Sequence, residues 1–136
     1  MTNVEWLLSG FGDEIDQNLD IQVAVLQALG AGHIEVRSAG GINVVDFDSD
    51  QLETVRTTLL RRGMGVSAIA SPIGKVDIAL PIEHEVARLR RVIEVAHALD
   101  SRYIRMFAAR ESRSPRRVTG CWRRCASSRR WPRRRA

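Results

Sequence analysis

The stretch His33-Ile34-Glu35-Val36-Arg37 alternates polar and apolar side chains, as a β-strand with one buried face does. Before it, apolar residues at helical spacing predict an amphipathic helix that begins at Asp16 or Asn18 and ends at Gly30. The apolar positions of this helix are Leu19, Val23, Leu26, Val25 and Leu29. After the strand, Gly40-Gly41 predicts a loop. A helix that leads directly into a strand is part of a β–α–β unit.

The same alternation of strand and helix extends in both directions from this strand. Residues 7–12, 66–69 and 102–107 also have the composition of short strands. The four predicted strands start near Leu7, His33, Val66 and Tyr103. The order β-α-β-α-β-α-β predicts parallel strands joined by crossover helices. Such strands fit a doubly wound sheet or part of a closed barrel, and periodicity does not distinguish between the two.

Two more amphipathic helices complete the pattern. One begins at Asp48 or Ser49 and ends at Gly63, and its apolar positions are Leu52, Val55 and Leu59. The last follows Pro81, and we expect its buried face to consist of Val86, Leu89, Ile93 and Ala96. Each helix has one apolar and one charged side, so we expect a single layer of helices packed on the sheet.

Length and composition limit the class of protein. The chain has 136 residues, which fits one domain and is roughly half of a (β/α)₈ barrel. Hydrophobic residues make up 44% and charged residues 27%, as in globular proteins, and no apolar run approaches the ~20 residues that cross a bilayer. The N-terminus lacks the pattern of a secretory signal, so we expect a cytoplasmic protein without a membrane partner.

Charge divides the chain into two parts. Residues 1–109 contain 15 acidic and 10 basic residues, a net −5, whereas residues 110–136 contain one acidic residue and 11 arginines, a net +10. The second part has one aliphatic residue larger than alanine, Val118, so we expect a disordered or irregular Arg-rich tail. It has two interpretations. Arginine and tryptophan could bind nucleic acid, but the arginine bias of the whole chain favours a frameshifted end.

Four short strings resemble the sugar phosphate isomerase/epimerase family, which has the xylose isomerase-like TIM barrel. They are Phe11-Gly12-Asp13-Glu14-Ile15, His33-Ile34-Glu35-Val36-Arg37, Ser71-Pro72-Ile73-Gly74-Lys75 and Arg102-Tyr103-Ile104-Arg105-Met106-Phe107. They occur in the family's order and spacing over about residues 7–109. By this resemblance, residues 1–109 form a partial (β/α)₈ TIM barrel with its first four parallel strands and three crossover helices. The C-terminal ends of those strands would face the active site.

The resemblance also implies an activity. It implies isomerisation or epimerisation of a small sugar or polyol, in which a divalent metal (Mn, Mg, Co or Zn) polarises the carbonyl while a carboxylate moves a proton. In this family the metal ligands come mainly from strands five to eight. We therefore expect no catalytic residue and no metal ligand in this chain, which would be truncated and inactive by itself.

Five residues are candidates for substrate binding, and each has a structural alternative. Glu35 could accept hydrogen bonds from substrate hydroxyls, or it could pair with Arg37 or Arg105. The two arginines could bind an anionic or polyol substrate, or form internal salt bridges. Ser71 and Lys75 follow the third strand, where the lysine could hold a phosphate or a hydroxyl group. Nearby, the residues Asp13-Glu14 could belong to the same wall or stabilise a helix start.

Three further motifs lack residues that a metal site requires. His84-Glu85-Val86-Ala87-Arg88 lacks the second histidine of a zinc protease helix, and Asp46-Phe47-Asp48-Ser49-Asp50 is followed by Gln51 where a calcium loop needs glycine. Cys121 and Cys125 lack a second ligand pair.

A half-barrel would have open strand edges, which predicts a homodimer or pairing with another chain. Nucleic acid binding by the basic tail is the alternative from another class.

Overall fold

The computed structural model describes residues 6–77 and 80–108 of the protein. Residues 1–5, 78–79 and 109–136 lie outside this part. The predicted Arg-rich tail falls on the last of these segments, as does its boundary at Ala109-Arg110. Its two interpretations therefore stay predictions.

The described residues form short strands, three α-helices and one turn of 3₁₀ helix. In chain order the elements are β1 (Ser9–Phe11), α1 (Leu19–Ala28), β2 (His33–Val36), β3 (Ser38–Ala39), β4 (Ile42–Asn43), the 3₁₀ helix (Val44–Asp46), α2 (Ser49–Arg62), β5 (Gly65–Ala70), α3 (Ile82–Ala98) and β6 (Ile104–Arg105). Within this part of the chain, no helix combines the length and the apolarity that a membrane span requires.

The main sheet is parallel and follows the order of the chain. Its strand order is β1-β2-β5-β6, and all three neighbouring pairs are parallel. Glu35 of β2 pairs with Phe11 of β1 and with Ala68 of β5, after a bulge between Ile34 and Glu35. The predicted α/β class with four parallel strands is confirmed. The strand order has no reversal.

One hydrophobic core lies between the sheet and the three α-helices. From the sheet, Ile34, Val36 and Ile69 point into it. Each α-helix contributes buried residues to the same cluster, among them Val23, Leu26, Val55, Leu59, Val92 and Val95. The helices therefore all pack on one face of the sheet. The other face carries Ser9, Phe11, Glu35 and Arg105, and no described helix covers it.

The helix boundaries follow the predicted capping chemistry. The Asn18 side chain accepts a hydrogen bond from the Asp20 backbone N–H (2.9 Å) and begins α1. Asp48 accepts from the Gln51 backbone N–H (2.7 Å) and begins α2. Gly63 ends α2 in the left-handed conformation, with φ 63°. Two alternative caps were predicted for each of α1 and α2, and Asn18 and Asp48 are the ones used.

The Gly40-Gly41 loop is more ordered than predicted. Both glycines have positive φ, 62° and 75°, and they form the two-residue turn of the antiparallel hairpin β3–β4. Such a turn requires left-handed backbone at both positions, which glycine adopts at no steric cost. The Gly40 N–H also donates to the Gln17 carbonyl oxygen (2.8 Å), which ties the hairpin to the start of α1.

The predicted buried face of α3 is partly wrong. Val86 and Ile93 are each 40% exposed, whereas Leu89 is half-buried and Ala96 is buried. The face that packs on the core consists of Leu89, Val92, Val95 and Ala96, followed by Leu99. Helix α3 has two adjacent apolar stripes, and the sheet covers only one of them. Leu29, predicted in the apolar stripe of α1, is likewise exposed.

Candidate functional site

Charged and aromatic side chains that could bind a ligand lie together at the C-terminal ends of the parallel strands. All strands of a parallel sheet end at the same edge, so residues that are far apart in the chain meet there. We call this group the mouth cluster. It consists of Phe11, Asp13, Glu14, Glu35, Arg37, Lys75, Arg105 and Phe107.

Glu35 and Arg105 form an ion pair on the face opposite the helices. The Arg105 Nε–H donates to Glu35 Oε1 at 2.6 Å, across the intervening strand β5. Both side chains are partly exposed. Glu35 Oε2 and the two Nη groups of Arg105 make no hydrogen bond to a residue that the structure describes. The pair thus presents an acceptor and several donors side by side.

Arg37 is engaged by the loop after β1. Its Nε–H donates to Asp13 Oδ2 (2.6 Å) and its Nη2 group to Glu14 Oε1 (3.2 Å). The Ser38 hydroxyl also donates to Asp13 Oδ2 (2.7 Å). Asp13 and Glu14 precede α1, which begins at Leu19, so their contacts are with Arg37 and not with the helix terminus. Sequence reasoning missed this pairing, which follows from the adjacency of β1 and β2.

Two phenylalanine rings each lie close to two cations of the cluster. The guanidinium groups of Arg37 and Arg105 lie 5.1 and 5.0 Å from the centroid of the Phe11 ring. Arg105 and Lys75 lie 5.0 and 4.5 Å from the centroid of Phe107. A cation at such distances is attracted by the ring quadrupole. Sequence reasoning missed both rings as site residues, although each lies in one of the strings quoted above.

The loop after β5 is attached to β6. Ser71 is 1% exposed, and its hydroxyl donates to the Arg105 carbonyl oxygen (2.7 Å). The Phe107 N–H donates to the Ile73 carbonyl oxygen (2.8 Å). The structure therefore places Ser71 beneath the loop, where it supports Arg105. Lys75 lies at the rim, in a cavity of about 310 Å³ that it lines with Gly74 and Phe107.

The Asp13 carboxylate has a lowered pKa. Its burial acts to raise the pKa, but the hydrogen bonds from Arg37 and Ser38, together with the Arg37 charge, outweigh this effect. The net pKa of Asp13 lies below its ordinary value. The ionised form is therefore favoured in the folded state. The stability that it contributes is present above the pKa of the unfolded chain and is lost as the pH falls through the folded pKa.

We expect Asp13→Asn to lower the free energy of unfolding by about 1.5–3 kcal/mol at neutral pH, since hydrogen bonds to a charged group are lost. The difference from wild type should begin to shrink as the pH falls below about 4, where the carboxylate of the unfolded chain becomes protonated, and it should vanish only below the lower pKa of the folded state. Urea denaturation from pH 7 to pH 3 measures this, and the exposed Asp46→Asn serves as the control. A wild-type advantage that grows on acidification would contradict the assignment.

The carboxylates of the mouth cluster are not arranged as metal ligands. Asp13, Glu14 and Glu35 each accept a hydrogen bond from a guanidinium group. Within residues 6–77 and 80–108, no three His, Cys, Asp or Glu side chains converge as a metal site requires. These residues do not fit the divalent metal that the family resemblance implies, and we derive no step through it.

Comparison of the chain with protein-family models, with curated proteins and with solved structures finds no significant match.

Proposed function

We propose that the mouth cluster is one wall of a binding site for a small sugar or polyol, in a protein of the sugar isomerase and epimerase class. The observation that carries the proposal is the Glu35–Arg105 pair. It is partly exposed on the open face of the sheet, and it presents side by side an acceptor and several donors that make no hydrogen bond to a described residue. The Arg105 guanidinium lies close to the rings of Phe11 and Phe107, and strand β5 fixes the spacing between the strands that carry the two partners.

A polyol fits this pair better than an apolar ligand does. Each hydroxyl group both donates and accepts, so one hydroxyl can donate to Glu35 Oε2 while its neighbour accepts from an Nη group of Arg105. Hydrogen bonds to ionised groups are about twice as strong as those between neutral groups. An apolar ligand would displace the water bound to these charges, and it would not replace the hydrogen bonds that this water makes.

The topology supports a place in a barrel. Strand order without reversal and helices on one face are the arrangement of successive units in a (β/α)₈ barrel, whereas a doubly wound sheet reverses its strand order and carries helices on both faces. In such barrels the C-terminal strand ends form the active site. The mouth cluster lies at those ends.

The five predicted residues receive different roles in this proposal. Glu35 and Arg105 contact the substrate, and Lys75 at the rim binds a further hydroxyl or a phosphate group. Arg37 and Ser71 are positioning residues, since the first is held by Asp13 and Glu14 and the second supports β6. We expect this chain to bind sugar without converting it. Robust turnover by the isolated chain with Mn²⁺ or Mg²⁺ would contradict that expectation.

Glu35→Gln tests the proposal. The variant keeps the side-chain shape and removes the charge, so we expect the Kd for the best-bound member of a panel of tetroses, pentoses, hexoses and their polyols to rise about tenfold or more. Calorimetric titration measures this. Glu53→Gln is the matched control, because Glu53 pairs with Arg56 on the surface of α2, away from the mouth cluster. Equal affinities of wild type and Glu35→Gln, or no binding of any sugar by the folded wild type, would contradict the proposal.

A further inference from the structure

Helix α3 has an uncovered apolar stripe at one end of the helical layer. Ile82, Val86 and Ile93 are all exposed, and their spacing places them on one side of the helix. The opposite side faces the rest of the layer, where the Arg91 guanidinium donates to the Phe47 carbonyl oxygen. The stripe is therefore directed away from α2, beyond the last strand of the sheet.

Helix α1 has a matching stripe at the other end of the layer. Ile21 and Leu29 are exposed and Val25 is partly exposed, at a spacing of four residues. Asp20 and Gln27 lie on the side that contacts α2, since they bind the Arg61 and Arg62 side chains and the Arg62 carbonyl oxygen. The apolar stripe of α1 is therefore also directed away from α2.

The sheet is open at the same two ends. In the described part of the chain, β1 pairs only with β2, and β6 pairs only with β5. Large exposed apolar side chains flank both edges. They are Trp6, Leu7 and Leu8 beside β1, and Tyr103 and Met106 beside β6. Uncovered parallel edges with apolar flanks are sites of association.

The two ends also have opposite charge. The loop after β1 carries Asp16 and Glu14, whose side chain is 66% exposed, whereas the exposed Lys75 and Arg102 lie beside β6. Each end thus offers the apolar stripe, the open edge and the charge that the other end would match. A second copy of this chain presents both ends at once, so it matches this surface better than an unrelated partner.

We propose that two copies of the chain join with β6 of each beside β1 of the other, about a two-fold axis. Four strands from each copy give eight, the number at which a parallel ring closes with its interior filled by side chains. Closure would cover the open face of the sheet, as parallel sheets require. Both mouth clusters would then line the same opening. This arrangement is independent of the sugar-binding proposal.

Ile93→Arg tests the assembly by placing a charge in the stripe of α3. We expect wild type to be a dimer in sedimentation equilibrium, and the Kd of the dimer to rise by about 30-fold or more in this variant, as for a hot-spot residue. Leu60→Arg is the matched control, because Leu60 is also exposed and apolar but lies on α2, between the two ends. Circular dichroism verifies the fold of each variant.

Mixing two variants tests the pairing of opposite ends. At a protein concentration between the Kd of the wild-type dimer and those of the variants, Ile93→Arg and Ile21→Glu should each be mainly monomeric, yet their mixture should dimerise. In the mixed dimer, the arginine introduced on α3 of one copy meets the glutamate introduced on α1 of the other, and the second contact between α3 and α1 is unchanged. If α3 instead paired with α3 and α1 with α1, mixing would not bring the two introduced charges together and would not restore the dimer. A monomeric wild type at its highest soluble concentration, a dimer that survives Ile93→Arg, an open polymer, or no dimer in the mixture of folded variants would each overturn the proposal.

Discussion

Phe47→Ala should lower the free energy of unfolding by about 3–5 kcal/mol, the range for truncation of a buried aromatic residue. Phe47 is 2% exposed and belongs to the single core between the sheet and the helices. It follows the 3₁₀ helix and precedes the cap of α2, and its carbonyl oxygen accepts the hydrogen bond from Arg91 of α3. Its ring therefore fills space where three segments of the chain meet.

Urea denaturation of Phe47→Ala measures this loss. Leu60→Ala removes an apolar side chain that is 66% exposed, so it should change the stability by less than about 0.5 kcal/mol. A loss for Phe47→Ala within 1 kcal/mol of that for Leu60→Ala would contradict the assignment of Phe47 to the core, by the margin that separates surface from core substitutions.

Gly74→Ala should destabilise the protein by about 1–3 kcal/mol more than Gly30→Ala, the usual cost of overpacking. Both glycines have left-handed backbone, with φ 84° and 83°, so both substitutions carry the same conformational cost of about 1–2 kcal/mol. They differ in space. A Cβ atom on Gly74 would lie 1.8 Å from the Phe107 carbonyl oxygen, whereas no described residue apart from its chain neighbours lies within 4 Å of one on Gly30.

The comparison isolates the contact between the loop after β5 and the end of β6. Steric overlap at Gly74 should push residue 107 away and separate the Lys75 ammonium from the Phe107 ring, which changes the mouth cluster. Thermal or urea unfolding of the two variants measures the difference in stability. Equal losses for Gly74→Ala and Gly30→Ala would show that the loop does not pack against residue 107.

Periodicity in the sequence predicts the secondary structure and the parallel order, because each helix and strand has its own repeat of apolar residues. It fails where two apolar stripes lie side by side, as on α3. Which stripe is covered depends on where the sheet ends, and the helix sequence does not contain that information. The stripe with Val86 and Ile93 is left exposed for that reason. The hairpin at Gly40-Gly41 was detectable from its two-residue glycine turn.

The candidate site is less predictable than the fold, because its contacts join distant parts of the chain. The sequence allowed Glu35 to pair with Arg37 or with Arg105, and the sheet order selects Arg105 across β5. Arg37 turns instead to Asp13, on the neighbouring strand's loop. The buried Ser71 hydroxyl donates to the Arg105 carbonyl oxygen, a long-range contact that no local pattern indicates.

We propose that a polyol binds at the mouth cluster, and NMR titration of the ¹⁵N-labelled protein with the best-bound polyol measures this binding residue by residue. Binding at this site should produce saturable shifts of the backbone amides of Phe11, Glu35, Lys75 and Arg105. The N-terminal ends of the strands border a groove lined by residues that include His33, Met64 and Leu99, and the amide signals of these residues should not shift. Shifts centred on that groove, or no saturable shifts in the mouth cluster, would show that the polyol does not bind at the mouth cluster.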